Sequence, residues 1–174
     1  MGIPVYAPYI NQKPMAIGSS AFRIQSFDLT TVDGRWTHTN TDGTECPCYG
    51  FLITHKEMGK LLYITDTELI KWRFKGINHI LLGVNYYKDL INADDVAKNN
   101  HVFRGHLEIG TACDFVKANY SDRLQNVIMC HLSSENADID SFIGRMKKVA
   151  CGANVDVAEK GKGWILQNPN SCPF

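Results

Sequence analysis

The stretch VIMCHLSSENAD, residues 127–138, decides how the rest of the chain reads. Val127, Ile128, Met129 and Cys130 form a short apolar run that leads straight into His131. The chain then turns polar through Ser133, Ser134, Glu135, Asn136 and Asp138. A strand apolar on both faces belongs in a parallel sheet that is covered on both sides. Beyond the polar turn, Ile139, Phe142, Ile143, Met146 and Val149 recur at helical spacing, with Ser134 and Asn136 both available as caps. Strand, polar turn and amphipathic helix make one βα unit. In open α/β sheets the ligand crevice lies beyond the carboxyl ends of the strands, which is where His131 stands.

Working outward, other strands stop on polar groups in the same way. YGFLIT (49–54) and KLLYIT (60–65) read as a hairpin joined by HKEMG, and the second strand runs into Asp66. HILLGV (79–84) is an apolar strand that ends at Asn85. AFRIQSFDLTT (21–31) alternates as a strand with one irregular step between Ile24 and Phe27. A short helix is expected after Asp66–Glu68, through Trp72 and Phe74. Residues 86–104 read as mostly helical, 108–120 as a helix, 153–161 as a strand and turn, and 163–166 as a last short strand. Residues 32–48 form a long polar loop, and loops of that length are usually functional or disordered. The expected organisation is one α/β domain over residues 1–174, with a mixed sheet and flanking helices. It has an irregular segment at 1–20, a core at 21–166 and a loose tail at 167–174.

With 174 residues the chain is long enough to bury a real core. Eighteen basic and eighteen acidic residues leave no net charge, so there is no electrostatic case for long nucleic acid or an anionic membrane. No apolar run approaches the roughly 18 residues of a membrane span, and MGIPVYAPYI, with no basic stretch before a long apolar one, does not read as a signal peptide. The six cysteines are scattered, and Cys46-Pro47-Cys48 has the wrong spacing for a zinc knuckle or a thioredoxin motif. They read as reduced cytoplasmic thiols, several of them small core residues.

If the strands ending at Asp66, Asn85 and His131 run side by side, these groups line one sheet edge, with neighbouring strands about 4.8 Å apart. Imidazole and carboxylate together suit zinc, manganese or iron. An ordinary reading exists for each residue. A histidine after a strand also serves as a hydrogen-bonded turn residue, and Asp66 also serves as a turn cap. His106 in RGHLEIG and His38 in WTHTNTDG are further candidates. His55 and His101 read as surface residues, and His79 fits either role. No two histidines are spaced as a local metal motif.

Three segments carry a family resemblance: YGFLITHKEMGKLLYITDTELIKWRFKGINHILLGVNYY, RGHLEIGTACDFVKANYSDRLQNVIMCHLSSENAD and VDVAEKG. Together they resemble the metallo-β-lactamase superfamily, in its branch of small bacterial and phage phosphodiesterase or exonuclease-like metallohydrolases. The resemblance spans about residues 21–166. It implies an αββα sandwich with a dinuclear zinc or manganese site. In that frame Asp66 bridges both metals, His131 serves the second and His38 the first. His106 acts catalytically near the substrate phosphate, and the substrate is a small phosphodiester or a nucleic-acid end.

The family's leading H-x-H-x-D-H motif is absent, and Gly83 stands where relatives often carry glutamate. The chain therefore reads as the family's C-terminal part, a partial sandwich whose sheet needs covering. A complementary N-terminal half or a homo-oligomer would do that. Two functions follow: a metallohydrolase completed by its missing part, or a non-catalytic phage-derived remnant acting as a binding module.

Overall fold

The computed structural model describes residues 15–17, 22–91 and 96–168. Its strands are β1 (Met15–Ile17), β2 (Phe22–Asp28), β3 (Tyr49–His55), β4 (Gly59–Ile64), β5 (His79–Gly83), β6 (Asn126–Cys130) and β7 (Asn154–Val157). They lie in one seven-stranded mixed sheet in chain order. Strands β1 to β4 form an antiparallel meander, and β4 to β7 run parallel. The helices are α1 (Val96–Gly105), α2 (Ile109–Ala118) and α3 (Ile139–Val149). Among the described residues, no helix is long and apolar enough to cross a membrane.

Strand register sorts the side chains onto two faces. On one, Leu62, Ile64, Ile80, Leu82, Val127 and Met129 are fully buried. They pack with Ile109, Ala112, Phe115 and Val116 of α2 and with Phe142 and Met146 of α3. Helix α3 thus buries the apolar stripe read from its spacing, although Ile139 stays at the surface. On the other face Phe51, Leu61, Tyr63 and Leu81 are only half-buried. The segment after β7 reaches part of this side. Trp164 Nε1 donates to Asp156 at 2.8 Å, and the Asn168 N–H donates to the Glu57 carbonyl at 2.6 Å.

Several local expectations are corrected. No helix follows Asp66; the link to β5 is extended, held by the Trp72 indole donating to the Asp28 carbonyl and by the Asn119 side chain accepting from the Phe74 N–H. The segment 163–166 is no strand, because its neighbours bind side chains and the hairpin turn rather than a ladder. Residues 15–17 pair as a short strand inside the segment read as irregular. Within 86–104 the helix begins at Val96, preceded by a single 3-10 turn at Lys88–Leu90, and 92–95 lie outside the described residues. The irregular step in β2 is no bulge, since its register with β3 is continuous. Phe22 and Ile24 simply face the open side and Phe27 the core. The cap of α3 is Asp138, which accepts from the Ser141 N–H at 3.1 Å, and not Ser134 or Asn136. Of the described cysteines only Cys48 is buried in the core.

Candidate metal centre

Because β4, β5 and β6 are adjacent and parallel, their carboxyl ends share one edge. Asp66 follows β4 and His131 follows β6. Both sit in the left-handed region, with φ of 51° and 59°. Two interstrand steps separate them, roughly 10 Å of backbone, yet Asp66 Oδ1 lies 3.0 Å from His131 Nε2. The strand between them ends on Gly83, where an added Cβ would come within 3.0 Å of the Thr65 Cα. The missing side chain lets the turn after β4 lean over β5 toward β6.

His106 completes the cluster. It follows α1, and its ring centre is 5.0 Å from that of His131. Asp66, His106 and His131 each offer a ligand atom within 4.8 Å of the others. His38 stands just behind, 5.8 Å from His106 between ring centres, and is not a member of that group. Its Nδ1 lies 3.0 Å from the Gly105 carbonyl, which can only accept, so Nδ1 donates. Gly105 is the tight point of this contact, since a Cβ there would come within 3.0 Å of His38 Nδ1.

The long polar loop reaches the site through two buried hydroxyls. Thr67 donates to Thr37 at 2.6 Å, and Thr37 donates to the Leu29 carbonyl at 2.8 Å. The Glu68 N–H donates to the Thr37 carbonyl, and Arg35 pairs with the Glu68 carboxylate. His38 and Asp66 are thereby fixed relative to each other. Nearby, burial pushes the Cys130 thiol up to about 11, with the Asp66 charge adding to it. Burial first, then the Glu108 and Glu68 carboxylates, push Tyr86 up to about 12. Both groups therefore stay neutral at ordinary pH. Glu108 itself caps α2, accepting from the Gly110 and Thr111 N–H groups.

An exposed histidine–carboxylate pair is worth roughly 1 kcal/mol at most. Holding two non-glycine residues in left-handed conformations costs about that much each. The pair is therefore a poor device for stability, and strain of this kind gathers at functional sites. One carboxylate and two imidazoles at such distances suit a single zinc or manganese ion, with an open position for water.

Sequence reading named Asp66, His131, His38 and His106, and all four lie in this corner of the molecule. It placed Asn85 at the same edge, but the Asn85 amide is spent on the His131 carbonyl, at 2.8 Å. The Thr37–Thr67 pair was missed, since two threonines distant in sequence carry no local signal.

No known family profile and no curated protein matches the chain. Several solved structures are similar in fold, among them two hydrolytic enzymes by name. Unliganded yeast PDE1 superposes with a TM-score of 0.57 at 12% identity, over 86% of this chain and 47% of that one. The isothiocyanate hydrolase from Delia radicum gut bacteria superposes with a TM-score of 0.53 at 9% identity, over 84% of this chain and 56% of that one. The chain spans about half the length of these proteins, and what it shares with them is the mixed sheet with flanking helices.

Proposed function

We propose that this chain carries the metal-binding edge of a metal-dependent hydrolase acting on phosphodiester bonds, in a small diester or at a nucleic-acid end. The single observation that carries the reading is the convergence of Asp66, His106 and His131 within 4.8 Å at the carboxyl ends of parallel strands. Asp66, His106 and His131 would hold the ion, zinc or manganese. When bound, it polarises a phosphoryl oxygen and lowers the pKa of water. His38, held at Nδ1 by the Gly105 carbonyl and standing beside His106, would take or give a proton near the substrate. The Thr37–Thr67 link holds His38 and Asp66 in fixed relation, so little reorganisation is needed as charge develops.

Metal analysis of the purified chain, followed by hydrolysis of bis-p-nitrophenyl phosphate with added manganese or zinc, tests this. Tight stoichiometric metal is expected, with turnover that disappears in His131→Ala. Absence of both metal and turnover would sink it.

A second reading is favoured by one specific observation. Phe51, Leu61, Tyr63 and Leu81 leave one sheet face half open, and the chain spans about half of its structural neighbours. Such a face calls for a partner, either a second copy or a complementary N-terminal half. Paired with a second copy and without metal, the chain would act as a binding module without turnover; paired with the complementary half, it would belong to the hydrolase reading above. Sedimentation of the purified chain separates the partners: a concentration-dependent dimer supports the second copy, and a monomer leaves the complementary half.

A further inference from the structure

We infer that Asn85 is the positioning residue of this site, holding the two histidine-bearing turns in register; the inference rests on the metal reading proposed above. Asn85 is buried and lies two residues beyond β5. Its N–H donates to the Leu107 carbonyl at 2.9 Å, one residue from His106. Its carbonyl accepts from the Ser133 N–H at 2.9 Å, two residues past His131. Its Nδ2 donates to the His131 carbonyl at 2.8 Å. The first two bonds are main-chain and any residue forms them. The third needs a side-chain donor of this length.

That third bond falls on a residue with φ of 59°, a conformation that L-residues adopt reluctantly. A donor fixed on the carbonyl selects it. On either side the stitching continues, from the Val84 N–H to the Cys130 carbonyl at 2.9 Å and from the Ile109 N–H to the Tyr86 carbonyl at 3.0 Å. Residue 85 therefore cannot shift without moving both histidine-bearing segments. Groups that orient metal ligands from behind commonly change affinity by about 10- to 100-fold when removed.

Asparagine is distinguishable from its nearest shapes. Aspartate has the same outline but no donor when ionised, and alanine has neither. Cobalt(II) binding, followed by titration and by the visible spectrum, is compared in wild type, Asn85→Ala and Asn85→Asp. Circular dichroism fixes a temperature at which the proteins are folded. The expected result is a cobalt Kd raised about 10-fold or more in both variants, with a visible band of altered shape. A merely structural role would lower Tm and leave the spectrum of the folded protein alone. Unchanged affinity and spectrum in the folded variants overturn the inference. So does failure of both variants to fold, which would assign Asn85 to stability. A wild-type chain that takes up no cobalt overturns the metal reading itself, and the inference with it.

Discussion

Strand β5 carries a polar network at each end, and the two are built in opposite ways. At its start, His79 is fully buried. Its Nε2 is 2.9 Å from the Met58 carbonyl and its Nδ1 is 2.8 Å from the Asn126 amide, which in turn accepts from Asn154 at 3.3 Å. Both ring nitrogens are satisfied by neutral protein groups. At the far end, His131 is about half exposed, strained in its backbone and turned toward Asp66 and His106. The first network has the form of a structural one: buried, complete and unstrained. The second gathers ligand atoms where water reaches them, at a cost in conformation.

The sharpest way to break the comparison is His131→Gly. Glycine tolerates the positive φ at no steric cost, and the lost ion pair is worth roughly 1 kcal/mol at most. Stability should hold or rise by about 1 kcal/mol. Metal affinity should fall on the order of 1,000-fold, since even groups behind a ligand change it up to about 100-fold. Isothermal titration with zinc beside thermal denaturation reads both numbers. A large loss of stability would show that His131 is structural after all.

His79→Ala should do the reverse. It leaves the Met58 carbonyl and the Asn126 amide without their buried partner and opens a cavity, for a loss of about 3 kcal/mol. Metal affinity of the folded fraction should stay put. Denaturant unfolding and the same zinc titration check this, and a selective loss of metal would erase the distinction between the two ends.

The two ends should also differ in pH. Burial holds the His79 imidazole below its ordinary value of 6.5, outweighing its bonds to backbone carbonyls. The unfolded chain then takes up a proton that the folded chain refuses. Stability should fall as pH drops below 6.5 toward the folded value, by up to about 1.4 kcal/mol per pH unit. In His79→Gln this component should vanish. Identical pH profiles for the two proteins, measured without metal, would contradict the neutral network.

How much of this was legible beforehand follows from the range of each interaction. The apolar runs of β4, β5 and β6 and the stripe of α3 declare themselves over a few residues, so the parallel core and its polar edge could be read directly. Asp66 and His131 were visible because each interrupts such a run. What stayed hidden depends on contacts across many residues. Nothing local to Trp72 says that its indole will bind the Asp28 carbonyl and keep residues 65–78 extended. Nothing local to His38 says that it will settle against Gly105 beside His106. His79 read equally well as a candidate site residue or a surface one, and the fold instead buries it fully, against the Met58 carbonyl and the Asn126 amide.

Gly105 offers the finest adjustment. It is the last residue of α1, and alanine in a helix is favoured over glycine by about 0.5–1 kcal/mol. At this position, however, the new methyl group would stand 3.0 Å from His38 Nδ1 and crowd the bond to the Gly105 carbonyl. Relief must come from the imidazole, because the helix backbone is the stiffer partner. Gly105→Ala should therefore leave Tm nearly unchanged, the helix gain offsetting the displaced bond, while kcat on bis-p-nitrophenyl phosphate falls by about fivefold, the equivalent of about 1 kcal/mol. Zinc affinity should barely move, because His38 stands outside the three-ligand group. If zinc affinity falls along with kcat, His38 belongs among the ligands. If neither moves, the long loop and its histidine serve the fold alone, and only the Asp66–His106–His131 cluster distinguishes this end of the sheet from the other.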